Sequence, residues 1–183
     1  MIRILVDSGS EYLPEEAQAK GIEVLPIVTN VGGNDYRDGI DLGRDEFFEL
    51  LEETGLFPTT SQITPHTFAE KFKEARDAGD EVIALILSSA LSGTYQNACT
   101  ARAMLGNEGI YVIDSLTATY PISILANYAA QLRDEGWAAK DIAEAVEQLK
   151  GSVKLSLWLT LLNICSAGEG YQRRQQRSAK QQS

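Results

Sequence analysis

The stretch EVIALILSSALSGTYQNA, Glu81–Ala98, begins as an unbroken apolar run, passes through small hydroxyl residues and Gly93, and ends in a helix-forming pattern. Runs of Val, Ile and Leu without polar alternation suit strands buried on both faces, as in a parallel sheet covered by helices. IRILVD (Ile2–Asp7) and GIYVIDS (Gly109–Ser115) have the same character. Helical patterns lie between them: Pro14–Gly21, Arg44–Gly55, Thr64–Gly79 and Gly93–Leu105, followed by Pro121–Gly136 and Ala138–Lys150. Gly21, Gly55 and Gly79 fit helix C-caps, and Thr64 before Pro65 fits an N-cap before the first helical position. Strand alternating with helix argues for an α/β fold with a parallel sheet and right-handed crossovers. One segment breaks the rhythm: in VTNVGGNDYRDG, Gly32, Gly33 and Asn34 predict a hairpin beside the main sheet.

In such a sheet, ligands bind beyond the carboxyl ends of the strands. Three predicted strand ends carry small polar residues: Asp7 with Ser8, Ser88 with Ser89, and Asp114 with Ser115. After the second, Ser92-Gly93-Thr94 opens a helix, whose unpaired N–H groups and partial positive charge suit a carboxylate or phosphate. Ser92 as a plain helix cap is the competing reading. FPTTSQITP (Phe57–Pro65) sets Thr59, Thr60, Ser61 and Gln62 in a row between prolines. They either satisfy their own loop backbone or hold an anion as neutral donors with no catalytic base beside them.

Composition narrows the classes. The chain has 183 residues, 44% apolar, enough for one core, and a net charge of −10, which disfavours nucleic acid as a partner. No apolar run approaches the roughly 18 to 20 residues that span a bilayer, and the N-terminus has no leader pattern, so a cytoplasmic protein is expected. Cys99 and Cys165 lie far apart with no metal-ligand spacing, and DYRDGIDLGRDE (Asp35–Glu46) lacks the regular ligand order of a calcium loop, so no metal and no cofactor are expected. The single histidine, His66, falls in the first turn of a predicted helix and reads as a surface residue. A serine nucleophile elbow and a phosphate-binding P-loop are both missing, so no catalytic residue is assigned.

Five ordered motifs, VDSGSEYLPEE, YRDGIDL, FPTTSQITP, SSALSGTYQNA and VIDSLTA, together resemble the DegV family of bacterial fatty-acid-binding proteins, over Met1 to about Leu155. The resemblance implies a three-layer α/β first domain of a two-domain carrier, without established catalytic activity. Such a carrier holds a long-chain fatty acid between its domains and in several members presents it to a fatty acid kinase. It also implies that Thr60, Ser61, Ser92 and the N–H of Gly93 hold the carboxylate. The alternative is an acyl or phosphoryl transferase that uses the Ser92 helix terminus as an anion site. Two departures from the family pattern stand out: Ile63 where proline is frequent, and Pro121-Ile122 in place of a glycine-rich step.

Past Leu155 the resemblance stops, and charge changes sign. Ser156–Ser183 has four basic residues against one acidic, a net of +3, leaving twelve against twenty-five, −13, for the rest. Back-translated and read one base out of register, Leu159–Cys165 gives DTLEYL and the residues after it give QRGGRVSK, similar to the family's continuation into its second domain. The expectation is therefore a domain at 1–155, a one-base frame change near Ser156, and a poorly ordered tail at 156–183 in a chain impaired for binding.

Overall fold

The computed structural model describes residues 1–153. The tail expected at 156–183 and the domain boundary at Leu155 lie outside them. A parallel sheet of four strands has the order β2-β1-β6-β7, from β1 (Ile2–Asp7), β2 (Ile22–Leu25), β6 (Glu81–Ile86) and β7 (Ile110–Asp114). Strand β2 is not expected from the sequence. It is four residues long, includes Glu23 and stops before Pro26, so it has neither the length nor the unbroken apolar run of the other three.

Side chains alternate across these strands, and each face buries its own core. On one face, Ile4, Val6, Ile83, Leu85 and Ile113 pack with α1 (Pro14–Ala19), α5 (Tyr120–Asp134) and α6 (Ala139–Lys150). On the other, Leu5, Val82, Ala84, Ile86 and Val112 meet α3 (Pro65–Asp77) and α4 (Thr94–Leu105). Helices on both faces of a parallel sheet make the expected three-layer α/β arrangement. Phe68 and Phe72, one turn apart on α3, are fully buried with ring centroids 5.8 Å apart. The Thr64 side chain accepts the Thr67 N–H at 3.2 Å, and Pro65 occupies the first turn, as the sequence predicts.

The hairpin is present: β3 (Val28–Val31) and β4 (Asn34–Arg37) pair antiparallel across Gly32 and Gly33, both at positive φ, 63° and 89°. Two consecutive left-handed residues are what a two-residue turn needs to match strand twist, and glycine adopts them without steric cost. A third strand, β5 (Thr59–Ser61), joins β3 on its other side. FPTTSQITP is therefore not a free loop. Helix α2 (Arg44–Thr54) connects β4 to β5.

One backbone position is strained. Thr119, before α5, sits at φ 59°, ψ −144°, a region essentially reserved for glycine. Strain of this kind costs on the order of 1–3 kcal/mol, and a glycine gives part of that back as unfolded-chain entropy. Thr119→Gly is expected to raise stability by about 1 kcal/mol, read as a higher denaturant midpoint at unchanged slope. A lower midpoint would show that the turn is not strained.

Candidate functional site

Among the described residues, the buried polar side chains gather at one place. Asp7 and Ser10 follow β1, Ser88 follows β6, Thr94 opens α4, and Ser115 and Thr117 follow β7. All lie at the carboxyl rim of the sheet, where the strand ends leave backbone groups for side chains to satisfy. Asp7 is completely buried. Its Oδ2 accepts the Leu87 N–H at 2.6 Å and its Oδ1 accepts the Gly9 N–H at 3.0 Å. Burial pushes its carboxyl up to about 6, against the pull of those N–H donors in the other direction. Asp114 Oδ1 likewise accepts from Ser89 N and Leu116 N, each at 3.1 Å. The rim carboxylates thus hold the loops in shape.

Ser92 does not cap α4. The N-cap is Gly93, which has no side chain, while Ser92 Oγ accepts the Thr94 N–H at 3.2 Å and lies 2.9 Å from Thr94 Oγ1. Gly93 is close to Gln62: a Cβ built on it would fall 2.7 Å from both Cδ and Nε2 of Gln62. Asn97, on the first turn of α4, donates to the Ile63 carbonyl at 2.9 Å and to Gln62 Oε1 at 3.3 Å. The two clusters singled out in the sequence, TTSQ and LSGTY, are therefore joined through Gln62, Gly93 and Asn97.

Register divides Thr60 from Ser61. Thr60 lies opposite Thr29, which lies opposite Tyr36, so these three share one face of the small sheet. Ser61 lies opposite Val28 and faces the other way. The Thr29 and Tyr36 face lines a groove of about 1010 Å³ that starts at Ser8, at the end of β1, and runs between α1 with β2 on one side and the hairpin with α2 on the other. Its walls are mainly apolar, including Leu13, Ala17, Val24, Leu42, Phe47 and Phe48. Sequence reasoning misses this groove, because its walls come from separate elements between Ser8 and Phe48 that only the fold sets side by side.

His66 is exposed and within 3.4 Å of Glu70, as a surface residue of α3. Among the described residues, no group of three His, Cys, Asp or Glu is placed to hold a metal, and no helix is long and apolar enough to cross a membrane.

The profile of a family described as "Uncharacterised protein, DegV family" matches residues 1–164. The chain belongs to the DegV family. A DegV domain-containing protein of Clostridium acetobutylicum is 39% identical over 157 residues, covering 85% of this chain and 56% of that protein. One from Caldanaerobacter subterraneus is 40% identical over 145 residues, covering 79% and 51%. Among solved structures, DegV from Bacillus subtilis, described as a fatty acid binding protein, superimposes with a TM-score of 0.76 at 30% identity, over 82% of this chain and 54% of that one. A Thermus thermophilus DegV family protein, described by its fatty acid binding, gives 0.74 at 31% identity, over 81% and 53%. This DegV chain spans about half the length of the curated relatives that it matches.

Proposed function

We propose that this domain binds a long-chain fatty acid, with the acyl tail in the groove beside the small sheet and the carboxylate at the α4 terminus. The observation that carries the reading is a large, mainly apolar groove whose wall residue Thr29 is the strand neighbour of Thr60. The apolar groove is lined by Tyr36 and Thr29, Thr60 lies beside Thr29 on the same face of the small sheet, and Gln62, two residues beyond Thr60, is close to the glycine that precedes α4. Apolar walls supply affinity at roughly 0.8 kcal/mol per buried methylene, and neutral donors at one end satisfy the head group. The fatty-acid-binding relatives of the same fold support the same reading. In it, Thr60, Ser92 and the Gly93 N–H hold the carboxylate, and Ser61, on the opposite face of β5, contributes less than Thr60. Presentation of the bound acid to a partner kinase, and a share of the site supplied by a second domain, are part of the proposal.

Thr60→Ala and Ser92→Ala are each expected to weaken binding by about 1.5–3 kcal/mol, the usual worth of a hydrogen bond to a charged group. Ser61→Ala should cost distinctly less. Isothermal titration with palmitate, with thermal unfolding run in parallel, checks this. Equal losses at Thr60 and Ser61 would contradict the register argument, and no loss at Thr60 and Ser92 would remove the site. Native mass spectrometry of the gently purified chain separates the classes: a co-purified fatty acid supports a carrier, while turnover of an activated acyl or phosphoryl donor points to the transferase reading.

A further inference from the structure

We propose that Asp7 is a positioning residue for the carboxylate seat, holding both donor clusters through the Leu87 and Gly9 N–H groups, so that fatty-acid affinity depends on the charge of Asp7. The inference rests on the reading of the site given above and adds its regulation. One path runs from Oδ2 to Leu87, the residue at which β6 enters the loop carrying Ser92 and Gly93. The other runs from Oδ1 to Gly9, in the Ser8–Ser10 turn. In that turn Ser8 Oγ accepts the Ile27 N–H at 3.0 Å. Ile27 leads directly into β3, whose Thr29 faces Thr60 on β5. A single buried side chain thus connects the two halves of the seat.

The turn is built closely around this carboxylate. A Cβ at position 9 would lie 2.8 Å from Asp7 Oδ1, and Ser10 Oγ donates to the Asp7 carbonyl at 2.7 Å. Ionised, the carboxylate accepts on both oxygens, and such charge-assisted bonds are the stronger kind. Protonated, the carboxyl loses its charge and one oxygen becomes a hydroxyl that accepts more weakly, so one of the two loops is held less firmly. Burial places this change at about 6, within the range in which proteins work.

Charged groups on the surrounding elements are directed elsewhere. Arg3 on β1 binds Asp80 and Glu74, and Glu23 on β2 pairs with Arg3 and Lys71. Glu81 stands at the opposite end of β6, Arg133 of α5 donates to the Lys20 and Gly21 carbonyls, and Asp114 of β7 accepts from Ser89 and Leu116. The Tyr12 hydroxyl donates towards the Ser123 carbonyl and Asn127 Oδ1. None of these is among the causes of the Asp7 shift, which are burial and backbone N–H bonds.

The test uses the 183-residue chain and its Asp7→Asn variant, titrated with palmitate from about pH 7.5 to about pH 5, beside an NMR titration of the unliganded chain that follows the Leu87 and Gly9 amides. Palmitate's own titration is common to both proteins and cancels in the ratio of their affinities. The unmodified chain is expected to lose about tenfold in affinity relative to the variant on acidification, the worth of about one hydrogen bond. The two amides should move together with the same midpoint. A constant ratio, or one favouring the unmodified chain at acid pH through relief of repulsion between two anions, overturns the proposal while leaving fatty-acid binding in place. Amides that do not titrate together overturn it even if the variant fails to fold. Absence of binding by the unmodified chain at every pH instead overturns the functional reading on which the proposal rests.

Discussion

Thr29→Trp is expected to reduce fatty-acid affinity by more than a hundredfold while leaving the domain folded. Thr29 occupies the middle strand of the small sheet, between Tyr36 and Thr60, and its side chain lines the groove. Tryptophan is at home in strands, so β3 should keep its pairing with both neighbours. Its ring projects into the space assigned to the tail. Excluding even four methylenes from apolar contact forfeits about 3 kcal/mol at roughly 0.8 each, which is more than two factors of ten. The carboxylate donors are untouched, so a short acid that needs only the seat should bind both proteins equally. Palmitate and a short-chain acid, titrated into each protein with circular dichroism as the folding check, give the answer. Full retention of palmitate affinity would move the tail out of this groove.

The largest effect on stability is expected at Phe72. Phe72→Ala should lower the unfolding free energy by about 3–5 kcal/mol, and Phe68→Ala by a similar amount, since each truncation removes a fully buried ring and leaves a cavity that neighbours fill only in part. Both rings lie in the layer that α3 and α4 form over the sheet, against strands that cannot move inward without losing their ladder bonds. A domain has only about 5–15 kcal/mol in total, so either variant falls near the edge of folding at room temperature. Phe72→Leu, which keeps most of the volume, should recover most of the loss. Chemical denaturation at constant slope reads all three, and a cost below about 1 kcal/mol for Phe72→Ala would contradict close packing in this layer.

Most of the architecture can be read from the sequence wherever a single element carries its own signal. Strands β1, β6 and β7 are continuous apolar runs, the Gly32-Gly33 turn needs glycine, and Gly55 ends α2 in the left-handed conformation, all properties of local chemistry. Legibility fails where structure is set by neighbours. Thr59–Ser61 is polar and becomes a strand only because β3 offers it an edge. Read as a loop, Thr60 and Ser61 are equivalent; paired in register, they point to opposite faces. The sequence brings Asp7 to the right rim but does not say that it is buried, because the distinction lies in the Leu87 N–H, eighty positions away. Gly93 reads as a place for close approach, and what approaches it in the structure is Gln62.

The central position of β1 bears on how the protein is made. Its register joins Ile4 to Ile83 and Leu5 to Ala84, partners separated by 79 residues. At synthesis rates of about 5–20 residues per second, the first strand leaves the ribosome about 4–16 s before its inner neighbour exists. Throughout that interval an apolar strand has one row of N–H and C=O groups unpaired, with only the short β2 available on its other side. Contacts at such separation also slow the final step, since a long loop must close before any of them forms. Nascent chains of this domain are accordingly dependent, until residue 86 has emerged, on whatever shields a bare hydrophobic edge in the cell, and the yield of folded protein should follow the capacity of that shield more closely than the stability of the finished molecule.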